Sequence, residues 1–538
     1  MSEICRRLDG IPLAIELAAS RVSHMTPADI AAHLDDRFRL LVGGGRRRAQ
    51  RQQTLQAALD WSHDLLSPAE QVLLRRLSVF AGGFTMEAAA EVCLEEGERS
   101  ILPLLASLVA KSLISQEQAT HEHSTLEHVP WERAALEHAA QEQGLMGPAG
   151  TRYRMLETMR LYAAQKLVEA DEAAHFRTRH RDRLLSWVEA HRLDETLFDY
   201  TVIMPITADF DNLRAALDWS EVEPRPDLFR RLALRMAGTW SLWGSHDEGM
   251  ARLTTAVEGA DDPSDKAEAL AVLSFVAMVA ASFDVMSDAA RQSLELDSEG
   301  PGSSLALLHA ALYRVYERDA ADELHQMHDR ARLLAHRHGL PFVAAMATGF
   351  MAHRYVVEGA YDRVAAMDTD LPSGFTYQTF LFGGAVVVAA ICSGQPELAV
   401  RHVQHMPVMW YTSYYVKTLE AISLVEAGRP VEARQALRMA AREMLEQPAP
   451  LGVGECLIAY AALALGEGDA VRAAGLLEAV FAERGMASYR SPSSWVLSRR
   501  YRYRAKELLE PDAWEAARAE GRRRGVRELL EDEFARYG

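Results

Sequence analysis

Lysine is nearly missing from this 538-residue chain. There are five, Lys111, Lys166, Lys266, Lys417 and Lys506, so 53 of the 58 basic residues are arginine. We read the imbalance as codon bias rather than as enrichment for phosphate recognition. None of the five follows a glycine, and Gly-x-x-x-x-Gly-Lys-[Ser/Thr] occurs nowhere. The chain therefore lacks the amide-and-lysine cradle that holds nucleotide phosphates. No strand ending in paired acids is present either, since Asp35-Asp36 falls in a helical pattern. Hydrolysis of ATP by this chain is not expected.

Cysteine is as scarce. Cys5, Cys93, Cys392 and Cys456 are far apart and form no Cys-x-x-Cys pair, which excludes a disulfide framework or structural zinc site. The longest apolar stretches, at 270–281 and 385–392, fall short of the ~18–20 residues of a spanning helix. "MSEICRR" is no signal peptide. A reducing, cytoplasmic location without membrane contact is expected. Gly-x-Ser-x-Gly, His-Glu-x-x-His and a Cys/His signature are all absent, so nothing nominates a nucleophile and no enzyme is expected. With a net charge of −18, the chain is on average repelled by nucleic acid and anionic membrane.

What is present favours helix. Aromatics are only 8%, alanine and leucine abound, and 49% of the chain is hydrophobic, enough for a sizeable core. The length suggests roughly three or four domains. Residues 3–22 read as a helix interrupted at Gly10-Ile11-Pro12, and Thr26-Pro27 opens another, which ends at three glycines. Ser67-Pro68-Ala69-Glu70 has capping-box spacing. Helices are expected over about 68–79, 85–93 and 100–110, followed by short strands at 112–117 and 152–157. Three helices and a hairpin are the pattern of a winged helix. Between the strands lies a long polar stretch that includes His121, His123, His128 and His138; its histidine spacing matches no metal-ligand set, so we read it as a solvated loop.

From about 171 onward no strand pattern occurs. Helix-turn-helix junctions recur instead, marked by Gly244, Phe283, Arg318, Gly359, Gly394, Gly428 and Gly468. A period of roughly 34–40 residues with a turn and a following alanine is the signature of stacked helical hairpins.

Three stretches, "LDGIPLAIELAASRV", "RQQTLQAALDWSHDLLSPAEQVLLRRLSVFAGGF" and "YRMLETMRLYAAQKL", resemble the STAND ATPases, and more narrowly their bacterial regulator members with an NB-ARC-type nucleotide domain. "DFDNLRAALDWS" and "AWEAARAEGRR" are similar to the same group. The resemblance implies a P-loop domain, a small helical domain, a winged helix and a helical-repeat sensor, with ATP replacing ADP when an inducer binds and an effector, often DNA-binding, at one end. It also implies that Gly10 and Pro12 lie on the adenine side of a nucleotide, once a nucleotide domain is supplied. Only nine residues precede Gly10, so that domain would lie upstream. Where many relatives carry Met-His-Asp, with the histidine on the ADP β-phosphate, this chain has Met155-Leu156-Glu157. That contact does not carry over.

The expected architecture is mainly α: a remnant of the helical domain (1–42), a linker (43–62), a winged helix (63–170) with an insert at 117–151, a helical connector (171–220) and TPR-like repeats (221–538). Arg46, Arg47, Arg48 and Arg51 fall in the linker and read as a solvated run. The third winged-helix segment, "SILPLLASLVAKSLI", offers Lys111 and little else, so direct DNA binding is not expected. His325/His328 and His402/His405 read as structural pairs on helix faces. Trp240 and Trp243 belong to the repeats' aromatic set, and "MPVMWYTSYY" nominates Trp410, Tyr411, Tyr414 and Tyr415 for a protein partner or small-molecule inducer, with packing between repeats as the plainer role. The expected function is the sensor and relay part of a STAND-type regulator of transcription, with no cofactor of its own; ATP or ADP would belong to a full-length parent or a separately encoded ATPase. The alternatives are an ATPase whose P-loop lies upstream of this sequence and a standalone repeat scaffold.

Overall fold

The computed structural model describes residues 59, 63–64, 66–95, 100–111, 113–117, 151–242, 245–280, 282–314, 321–367, 376–406, 413–446, 452–482 and 492–537. The expected helical remnant with Gly10 and Pro12, the arginine run at 46–51, the histidines of the insert, and Trp243, Trp410 and Tyr411 lie outside them. Among the described residues the protein is mainly α, with 25 helices and one small sheet. None of those helices is long and apolar enough to cross a membrane. Described residues within Met1–Glu127, Met146–Ala190 and Pro205–Leu232 form one compact unit; those within His191–Met204 and Ala233–Gly538 form another.

In the first unit, α1 (Pro68–Leu77) is followed by β1 (Phe84–Thr85), α2 (Met86–Cys93), α3 (Leu102–Ala110), β2 (Ile114–Glu117), β3 (Arg152–Met155), α4 (Glu157–Glu169) and α5 (Ala173–Glu189). The capping box forms: the Glu70 amide donates to the Ser67 hydroxyl, and Glu70 accepts from the Ser67 amide. β3 is central and antiparallel to both neighbours, in the order β1-β3-β2. The sequence led us to expect two strands. The third is only two residues long, too short to show an alternating pattern. Leu74, Leu77, Phe84, Leu105, Leu108, Tyr162 and Phe176 meet in one apolar core.

The chain continues through α6 (Leu193–Phe198), α7 (Tyr200–Ala208), α8 (Phe210–Val222) and α9 (Pro226–Leu242). In the second unit Asp194, on α6, accepts from the Phe342 amide at 3.0 Å. It thereby satisfies an orphan donor at the start of a helix far along the chain.

The rest of the second unit is a succession of packed helices: α10 (His246–Glu258), α11 (Pro263–Val279), α12 (Phe283–Leu296), α13 (Ser303–Tyr313), α14 (Ala321–Arg337), α15 (Pro341–Glu358), α16 (Tyr361–Ala366), α17 (Thr376–Cys392), α18 (Pro396–Gln404), α19 (Ser413–Glu426), α20 (Pro430–Glu446), α21 (Val453–Gly466), α22 (Ala470–Ala482), α23 (Pro492–Leu508), α24 (Pro511–Gly521) and α25 (Val526–Arg536). Each of α10 to α21 packs on its successor.

Four marker glycines, Gly359, Gly394, Gly428 and Gly468, have φ between 73° and 84°. That left-handed backbone is open to glycine without a Cβ penalty. Past each one, the next residue donates its amide to a carbonyl five residues back, as Arg429 does to Leu424 at 2.8 Å and Asp469 to Ala464 at 2.8 Å. This is the Schellman closure of a helix C-terminus. Of the remaining markers, Phe283 opens α12, and Gly244 and Arg318 lie outside the described residues. α23 packs against α15 and α17 as well as α21 and α22. Gly521 crosses Gly475 so closely that a Cβ would collide with the Gly475 carbonyl oxygen. The "AWEAARAEGRR" stretch is thus a close-packing device, and its Trp514 is buried.

Candidate functional site

Two of the stretches that carry the family resemblance meet at one place in the first unit. Gly82 and Gly83, from "FAGGF", form the turn that leads into β1. The Asn212 carboxamide, from "DFDNLRAALDWS", grips that turn from both sides. Its Oδ1 accepts from the Gly82 amide at 3.1 Å, and its Nδ2 donates to the Gly83 carbonyl at 2.9 Å. Arg152, at the start of β3, donates to the same carbonyl at 2.8 Å and to the Asp209 carboxylate at 2.6 Å. Asp209 also accepts from Asn212 at 3.0 Å. A Cβ on Gly83 would lie 3.3 Å from Arg152 Nε, so the absence of a side chain permits the approach.

Asn212 is 2% exposed. Buried in this way, its amide stands in for a paired strand and gives the Gly82 donor and the Gly83 acceptor their partners. Beside it, His180 packs edge-on against Phe80, 4.9 Å between ring centroids. Burial pushes the His180 pKa down to about 3, with a smaller contribution from Arg183, so the ring is neutral at physiological pH. The clamp holds no nucleophile and no metal-ligating triad. Its chemistry is mechanical: side chains from two separate segments fix one backbone turn.

Lys111 is already occupied. Its ammonium lies 2.7 and 2.8 Å from the two oxygens of buried Glu70, which also accepts from the Ser107 hydroxyl. The Lys111 hydrogen bond, with help from Ser107, lowers the Glu70 pKa to about 2. The exposed residues of α3 are Leu102, Pro103, Ala106 and Ala110. None carries a side-chain donor that could read a base edge. Leu156, where the family resemblance places a phosphate-binding histidine, is 46% exposed at the start of α4. An isobutyl group cannot bond a phosphate.

In the second unit, Tyr415 is buried and lines a cavity of about 10 Å³ with Thr418, Leu419, Glu455, Ser494 and Leu497, roughly the room one water needs. A Cβ on Gly384 would lie 2.9 Å from the Tyr415 hydroxyl oxygen, so that glycine makes room for the ring. Tyr414 is half-buried, and its ring occupies the space a Gly452 side chain would need. Trp240 is fully buried against Gly249. His325 lies 3.1 Å from Glu358, and His328 bonds the Leu324 carbonyl at 2.7 Å. His402 and His405 are exposed on α18 and just beyond it. No group of three or more metal-ligating side chains occurs among the described residues.

Asp209 and Asn212 fall within a stretch that carries the resemblance, and Arg152 opens an expected strand, but nothing in the sequence alone assigns any of the three a role. The signal that could have singled them out is a buried-type Asn and Asp on an otherwise amphipathic helix, together with a Gly-Gly turn in need of partners.

No family model matches the chain. It is 38% identical to a Mycobacterium tuberculosis protein named "Putative HTH-type transcriptional regulator Rv0890c" over 260 residues, 48% of this chain and 26% of that protein. The same figures hold for a Mycobacterium bovis protein named "Putative HTH-type transcriptional regulator Mb0914c". It is 39% identical over 187 residues, 34% of this chain and 40% of the relative, to the M. tuberculosis "Uncharacterized protein Rv0894". The chain spans about a quarter of the length of the named regulators.

Proposed function

We propose that this chain is the sensing and relay part of a STAND-type transcriptional regulator. The three helices and sheet of the first unit act as a winged helix. The helices after Ala233 act as TPR-like repeats that take up a protein partner or small-molecule inducer. The observation that carries the reading is the Asn212 clamp: a turn of the winged helix is held by side chains on the helix that leads toward the repeats in sequence, which is the wiring a relay requires. The regulatory names of the relatives favour the same reading.

In this reading the chain is not itself an enzyme. Nucleotide switching belongs to a P-loop domain in a longer parent or in a separately encoded ATPase. DNA contact is made elsewhere than α3, whose exposed face is apolar and whose Lys111 is committed to Glu70. The relay acts in the cytoplasm.

The test compares transcripts in the host strain, in a deletion and in an Asn212→Ala replacement, with protein abundance checked by immunoblot. Deletion should change a restricted set of transcripts, and Asn212→Ala should shift the same set at unchanged abundance. An unaltered transcriptome on deletion defeats the regulatory reading. If only Asn212→Ala is silent, the relay point is misplaced. Phosphate release from ATP by the purified chain should stay at background.

A further inference from the structure

Helix α23 reverses the charge of the chain it belongs to. It carries Arg499, Arg500, Arg502, Arg504 and Lys506 against a single acid, Glu507, in a protein of net charge −18. Three of these cations turn to carboxylates of the repeats. Arg502 reaches Glu478 at 2.6 Å, and Arg500 and Arg504 approach Glu426 at 3.5 and 3.6 Å. Arg499 and Lys506 make no ion pair among the described residues.

Instead Arg499 is held between two rings. Its guanidinium carbon lies 4.7 Å from the Trp495 centroid and 5.7 Å from that of Tyr503, and its Nη2 donates to the Tyr503 hydroxyl at 3.1 Å. Trp495, Arg499, Tyr503 and Lys506 fall at i, i+4, i+8 and i+11, one stripe of a helix. Tyr503 is 55% exposed and Lys506 is exposed. Stacking holds the guanidinium plane and leaves N–H groups of the fork free. That is a preorganised seat for a carboxylate.

We propose that this stripe binds an extended acidic segment of a partner protein, one carboxylate on Arg499, a second on Lys506 and a flat apolar side chain on the Tyr503 ring. The two cations are seven residues apart, roughly 10 Å along the helix. Two carboxylates three residues apart on a polyproline II segment, which has three residues per turn, share one face and lie about 9 Å apart. Nucleic acid fits less well. Two unpaired cations neutralise only about two phosphates, and the rest of the chain repels a polyanion. The surface is separate from the Tyr415 cavity and does not depend on the inducer reading.

The probe is a fluorescein-labelled peptide with two Glu-Ala-Phe-Glu repeats, titrated with the full chain and read by anisotropy. The expected result is saturable binding that weakens with salt and changes Trp emission. Arg499→Glu/Lys506→Glu should weaken it at least about tenfold, the loss of both charge pairs. Arg499→Lys should give an intermediate loss, because it keeps the charge and removes the fork. Arg442→Glu, a charge reversal on exposed α20, should change binding less than about twofold. Circular dichroism checks that each variant is folded. The proposal is overturned if the peptide fails to bind the wild type, if the double variant binds as wild type does, or if a single-stranded oligonucleotide of equal charge outcompetes the peptide. It is equally overturned if sedimentation shows self-association that the double variant abolishes, since the occupant is then a second copy of this chain.

Discussion

The two units are held together by opposite means. In the first, the turn before β1 depends on polar side chains brought from residues 152, 209 and 212. In the second, the junctions after α15, α17, α19 and α21 close their own backbone bonds, and small residues let neighbouring helices touch, as Gly521 and Gly475 do. Long-range polar contacts are costly to leave half-made, because a buried donor without a partner loses its hydration for nothing. Local closures and apolar contact cost little to disturb at any one point. The first unit should therefore respond sharply to single polar changes, and the second to changes of volume.

Acid should produce the largest effect, and it reaches both units. His180 in the first and His309 in the second are both held neutral by burial, with pKa values of about 3 against an ordinary 6.5. The unfolded chain binds these protons first, so stability falls as pH drops from about 6.5 toward 3 in both units. Carboxylates add a further loss in both units: in the second, the burial of Glu478 is outweighed by its Arg502 partner and its pKa is lowered. In the first, Glu70, lowered to about 2, contributes stability above its ordinary value of 4.5 that disappears as pH falls from there to about 2. Far-UV circular dichroism and hydrogen exchange across pH 7 to 3 should show exchange rising in both units below pH 6.5, with the Glu70–Lys111 region losing more below 4.5.

Gly521→Val comes next. Its side chain must push α24 off α22, which should cost about 3 kcal/mol, seen as an earlier melting transition in calorimetry. Asn212→Ala should cost about 2 kcal/mol, because it leaves the half-buried Gly82 amide unpaired; exchange at residues 81–84 should rise while the second unit stays protected. Ser67→Ala, which removes one capping bond, should cost about 1 kcal/mol. A Gly521→Val effect smaller than that of Ser67→Ala would erase the contrast.

Local features were legible in the sequence. Ser67 and Glu70 announced a capping box, and the expected helices at 68–79, 85–93 and 100–110 differ from α1, α2 and α3 by at most two residues. Gly359, Gly394, Gly428 and Gly468 marked turns, because a left-handed residue leaves a glycine in the sequence. The strands expected at 112–117 and 152–157 correspond to β2 and β3. What stayed hidden needed a distant partner. Nothing in the sequence spacing says that Asn212 meets Gly82, that Asp194 caps the helix at Pro341, or that Gly521 rests on Gly475. Tyr415 was nominated for its aromatic neighbourhood; its environment depends on Gly384 and on α23, which no local pattern connects to it.

The glycine junctions of the second unit bear on heredity as well as on folding. A turn whose bonds close within itself carries its instructions in a few consecutive codons. A stretch of coding sequence between two such turns can be copied, lost or exchanged as a cassette without rewriting its neighbours. The number of helices between such turns can then change between descendants by recombination rather than by slow substitution.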